Sequence, residues 1–92
     1  MMKWLEVIKL RSARRDSRLM DELLLSIRKF NQAGLVETKT FRHASLDSDL
    51  SIHLHWESER PERNGSPLGL RLVRALKEFG LIDHSIWVEK EI

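Results

Sequence analysis

Residues 49–58, "DLSIHLHWES", alternate almost without fault between apolar and polar side chains. Leu50, Ile52, Leu54 and Trp56 fall on one side of an extended chain, and Ser51, His53, His55 and Glu57 on the other. That period of two marks a strand with one face against a core. A strand of this kind needs neighbours, and the flanking sequence supplies them. Upstream, "ASLDSD" has turn chemistry, and "LVETKTFRH" before it carries the Val, Thr and Phe of a pleated surface. Strand, short polar turn, strand predicts a hairpin.

Further toward the N-terminus, "KWLEVIKLR" (residues 3–11) reads as another strand, apolar on both sides and therefore central. Between it and the hairpin, Leu19, Leu23, Ile27 and Phe30, with Met20 and Leu24, recur at helical spacing. With Asp16 or Ser17 as cap and Gly34 as stop, they predict a helix over about residues 17–33. Beyond the hairpin, "SERPERNGSP" is a loop. Ser66 then Pro67 start a second helix, whose stripe is Leu68, Leu72, Leu76 and Phe79, flanked by Val73 and Ala75. Gly80 is expected to end it, with Leu81 folding back on its last turn. "DHSIWVEKE" closes the order β-α-β-β-α-β as a last strand.

This order predicts an α+β, ferredoxin-like βαββαβ plait over residues 1–92: one domain, a four-stranded antiparallel sheet with first and third strands central, and two helices on one face. The helix side is expected to hold Leu50, Ile52, Leu54, Trp56, Ile86 and Val88, with Leu5 and Val7. The bare side is expected to hold Trp4, Glu6, Ile8, Leu10, His53, His55 and Trp87, joined by Thr38, Thr40 and Arg42. A surface so rich in tryptophan is too apolar for water and too polar for a plain core. It predicts a homodimer closed sheet to sheet.

Composition narrows the function classes. Sixteen Lys and Arg against fourteen Asp and Glu leave a net charge of +2, with no long block of one sign. The basic cluster Arg11, Arg14 and Arg15 reads as a solvated loop, and Arg71, Arg74 and Lys77 as a solvated helix face. The absence of cysteine excludes disulfides, thiolate metal sites and a thiol nucleophile, and suits a cytoplasmic location. No apolar run approaches the ~20 residues of a membrane span. The opening "MMKWLEVIKL" reads as mature protein rather than a leader.

Plait order, a helix-free sheet face and "SIHLHWES" together resemble the dimeric α/β-barrel superfamily, in particular its antibiotic-biosynthesis monooxygenase-like domains. There a strand ends in an aromatic-rich stretch, Trp and a short polar "x-Ser", which Trp56 and Ser58 match. The resemblance implies a sheet-to-sheet dimer and Trp56 as a pocket residue. It brings in cofactor-independent oxygenases and haem-degrading enzymes. The latter place a His on the helix after that Trp; "SPLGLRLVRALKEFG" has none, which argues against haem. No cofactor is expected, and metal is the minority option for the histidine pair.

The ligand-binding candidates are Glu6, His53, His55, Trp56 and Arg42. On one face, two histidines and a carboxylate could work as an acid/base group or, in a two-His, one-carboxylate set, hold zinc or iron. The plainer reading is interface histidines, with Glu6 bridged across the dimer interface to Arg42 or to a histidine, since a lone buried carboxylate costs several kcal/mol. Trp4, Trp56 and Trp87 read first as packing residues, and His43 and His84 as exposed. The functional expectation is a homodimer that binds a small molecule, with cofactor-free oxygenase or isomerase chemistry as its sharpest form. A dimer made for association alone is the alternative. Nucleic acid is not expected, because the Gly and aromatic pattern of RNA-binding plaits is missing from the central strands.

Overall fold

The computed structural model describes residues 1–12 and 18–92. Their order is β1 (Met2–Ser12), α1 (Arg18–Ile27), β2 (Leu35–Arg42), β3 (Asp49–Ser58), α2 (Pro67–Leu76) and β4 (Gly80–Val88). The strands form one antiparallel sheet in the order β2-β3-β1-β4, so β1 and β3 are central as the sequence requires. Both helices bury their apolar stripes on the same face. Met20 and Ile27 of α1, and Leu68, Leu72 and Leu76 of α2, share a core with Ile52, Leu54 and Trp56 of β3.

Register decides what else joins that core, because residues opposite one another across a ladder point to the same side. Trp4 stands opposite Trp56, Glu6 opposite Leu54, Ile8 opposite Ile52 and Leu10 opposite Leu50. All four β1 residues therefore face the helices, and Leu5 and Val7, opposite His55 and His53, lie on the bare side. This reverses the expected assignment of β1. Trp4, Ile8 and Leu10 offer far more apolar surface than Leu5 and Val7, and the alternation takes Glu6 inward with them. The edge strand β2 is reversed likewise: Thr38, Thr40 and Arg42 pair with Leu54, Ile52 and Leu50, and Glu37, Lys39 and Phe41 face outward. On β4, Ile86 and Val88 lie on the helix side and Trp87 on the bare side, as expected.

The helices differ from expectation at their ends. Ser66 caps α2, its hydroxyl accepting from the Gly69 amide at 2.9 Å, with Pro67 in the first turn. The helix closes at Leu76, and Gly80 is not its stop but the first residue of β4. A Cβ there would overlap the Arg11 carbonyl of the neighbouring strand. Leu81 is exposed rather than folded back. The first helix ends at Ile27 instead of near residue 33, in tight turns where the amides of Lys29 and Phe30 bond Ser26 and Ile27. Leu19 is exposed, outside the stripe assigned to it. The expected caps Asp16 and Ser17, with Arg14 and Arg15, lie outside the described residues. No helix among the described residues is long and apolar enough to cross a membrane.

Candidate functional site

Glu6 is fully buried, and its carboxylate gathers four polar groups from three other parts of the chain. Oε1 accepts from Trp56 Nε1 at 3.0 Å and from the Ser66 hydroxyl at 2.7 Å. Oε2 accepts from the Ser66 amide at 3.0 Å and lies 2.7 Å from His84 Nε2. A carboxylate only accepts, so His84 donates from Nε2. Ser66 connects the cluster to α2, donating to Glu6 while it accepts from Gly69. The negative charge thus sits at the helix N-terminus, where free amides and the macrodipole favour it. Space is closed as well. A Cβ at Gly69 would overlap the carboxylate, and one at Gly65, whose φ is +99°, would overlap the His84 ring.

Four donors, one of them a hydroxyl that also accepts from the Gly69 amide, offset the cost of burying the charge. The expected bridge from Glu6 to Arg42 is absent: Arg42 pairs instead with Asp47 at 2.7 Å across the hairpin. The bridge to a histidine exists, but within the chain and to His84, which is half-buried rather than exposed, with 16% of its side chain accessible. Sequence reasoning missed His84 and read Ser66 only as a cap. The signal was present, since placing Ile86 on the helix side carries His84 there by alternation.

Beside this cluster the two buried tryptophans stack, ring centroids 5.5 Å apart and planes 15° from parallel. Trp4 Nε1 donates to the Ser58 hydroxyl at 2.8 Å, which in turn donates to the Arg60 carbonyl at 2.8 Å. Trp56 and Ser58, the pair that carries the family resemblance, are thus both tied into the structure by their polar atoms.

His53 and His55 stand on the bare face, without Glu6. Their rings are 6.4 Å apart. His53 packs against Phe41 at 4.7 Å and shares a 2.9 Å hydrogen bond with Ser51. Burial, then the neighbouring His55, Lys9 and Lys39, holds its pKa below the usual imidazole value. His55 Nε2 is closed off from solvent and has no hydrogen-bond partner among the described residues. A shallow depression beside it is lined by Lys3, Leu5 and Trp87. The expected constellation of Glu6 with both histidines is therefore split across the sheet. Among the described residues no three His, Asp or Glu side chains come together as a metal site.

A separate cleft of about 510 Å³ opens at the hairpin end of the sheet. Leu10, Leu50, Ile82 and Phe41 give it an apolar lining, and Lys9 and Arg42 stand among its charged residues. Of the five candidates only Arg42 reaches it. His43 also lines it; its Nδ1 accepts from the amides of Ser45 and Leu46 at 3.0 and 3.1 Å. In the neutral ring the proton then sits on Nε2, which makes His43 a donor. Comparison of the chain with protein-family models, with curated proteins and with solved structures gives no match.

Proposed function

We propose that this protein is a homodimer closed sheet to sheet, in the manner of the dimeric α/β barrels it resembles, and that it binds a small molecule. The observation that carries the dimer is the helix-free sheet face. It bears Leu5, Val7, Phe41 and Trp87, the last 59% exposed in the single chain. Four strands of 8 to 11 residues, at ~4.8 Å spacing and ~3.3 Å rise per residue, give that face a footprint of roughly 600 Å², toward the ~800 Å² per partner of a stable interface. Sedimentation velocity tests it. The chain sediments as a dimer at micromolar concentration, and Trp87→Glu sediments as a folded monomer. Trp87 is exposed, and its indole donates to Ser85 of its own strand at 2.8 Å, so the fold survives its loss. A folded, monomeric wild type refutes the reading.

The small-molecule part rests on the cleft, whose volume lies in the ordinary range of ligand pockets, about 300–1,000 Å³. Its guanidinium groups are already engaged, Arg42 by Asp47 and Arg11 by Asp49 at 3.8 Å. An apolar ligand fits this lining better than an oxyanion. Binding of the neutral fluorophore N-phenyl-1-naphthylamine should be saturable and at least tenfold weaker in Leu50→Gln. Absence of saturable binding removes the cleft as a site. Oxygenase or isomerase chemistry needs a free base at the bound molecule; His43 presents a donor, Asp49 is paired with Arg11 and Asp83 stands opposite Lys9, so binding alone is proposed. A dimer made for association alone is the second reading, favoured by the shallowness of the depression beside His55.

A further inference from the structure

Charges on the bare face are matched across its strands. Lys3 stands opposite Glu57, Lys9 opposite Asp83 and Arg11 opposite Asp49, while Glu37, opposite His55, is paired with Lys39 of its own strand. A face neutralised in this way gives a polyanion or a strongly charged protein little to hold. It suits an identical face, since neither copy brings a surplus of charge to the contact. The match fails at one place. His53 stands between Val7 on β1 and Lys39 on β2. Lys9 and His55 also act on it, and Glu37, the nearest carboxylate on β2, is turned to Lys39 at 3.8 Å. From β4, Asp83 stands opposite Lys9 rather than His53, and Ser85 is uncharged. Among the described residues no carboxylate is turned to His53 to favour its charged form. The hidden, unpartnered Nε2 of His55 already lies beside the exposed Trp87.

We infer that His53 and His55 of both copies lie at the sheet-to-sheet contact, and that the dimer holds while these imidazoles are neutral and comes apart when they take up protons. This rests on the sheet-to-sheet dimer proposed above and adds its regulation. Closing a second sheet over the pair removes water from both rings, of which His53 is already held below the usual imidazole range, and sets each near its symmetry mate. The dimer therefore binds fewer protons than two free chains. Its stability is complete above the free-chain pKa of these histidines and is lost as pH falls through it, by up to tenfold in Kd per pH unit for each proton taken up.

The experiment is sedimentation velocity of the full chain from pH 8 to pH 5.5 at constant ionic strength, with the His53→Gln/His55→Gln double variant in parallel. The wild-type Kd is expected to rise at least tenfold across the range, and that of the double variant to change less than threefold. His43 and His84 remain in the variant and act as the internal control. An NMR titration of the wild type guards against a variant that fails to fold: the His53 and His55 ring signals should titrate together with dissociation. A wild-type dimer indifferent to pH, or one that weakens equally without the two histidines, overturns the inference and leaves the dimer standing. A chain monomeric at every pH overturns the dimer itself.

Discussion

Replacing Glu6 with Gln preserves length and volume and changes only what the side chain can accept. With the amide nitrogen at the Oε1 position, it meets the Trp56 indole N–H, donor against donor. Turned over, it meets the Ser66 backbone N–H instead. Serine and histidine can adapt, by rotating a hydroxyl or changing tautomer, but the indole and the amide cannot. One buried donor is therefore stranded in either orientation, at about 1–3 kcal/mol. The bonds that remain lose their charge assistance, which roughly doubles a hydrogen bond's strength. Together these give a loss of about 3 kcal/mol, a large share of the 5–15 kcal/mol typical of a domain. At ~4–8 °C per kcal/mol for a domain this size, the melting temperature falls by roughly 12–24 °C. Urea unfolding followed by tryptophan fluorescence, at equal chain concentrations, measures it directly. A Glu6→Gln protein within about 0.5 kcal/mol of wild type would refute the reasoning, because the carboxylate would then not be what satisfies those donors.

Gly69→Ala should cost about 2 kcal/mol by the same assay, although Ala is the better helix former by ~1 kcal/mol, because the methyl overlaps a carboxylate held by four donors. In a Glu6→Ala background the obstacle is gone, and the same change should stabilise instead; an unchanged sign would discount the clash. Trp4→Phe, which keeps an aromatic stack and deletes the bond to Ser58, should lose about 1 kcal/mol. Ser58→Ala should lose a similar amount and add little to Trp4→Phe. Fully additive losses in the double variant would show that the two side chains do not act through each other.

The plait was legible because its signals agree: the period-two run at 49–58, the two helical stripes, and the Ser66–Pro67 start each demand the element found there. The bare face was legible only in part. On β3 the two sides differ so sharply that His53 and His55 can only point away from the helices. On β1 both sides are apolar, and alternation alone does not say which is inward. The polarity of Glu6 argued for the outward side, and the bulk of Trp4, Ile8 and Leu10 prevailed. What made that tolerable lies far along the chain, in Ser66, Trp56 and His84, and local pattern carries no information about partners at such separations. The early end of α1 was hidden for a related reason: Phe30 continues the apolar spacing past Ile27, although the chain there turns toward β2.

The carboxylate cluster also sets when this chain can finish folding. Its bonds join residues 50, 60 and 78 positions apart, and β1 has as neighbours only strands that follow much later. Closing such long loops precedes any reward from the contacts, so the rate-limiting search is for distant segments rather than for helices. On a ribosome, Glu6 emerges early and must wait, still solvated, until the strand bearing His84 has cleared the exit tunnel. Of the six elements, β1 is thus made first, and it is locked only when β4 arrives.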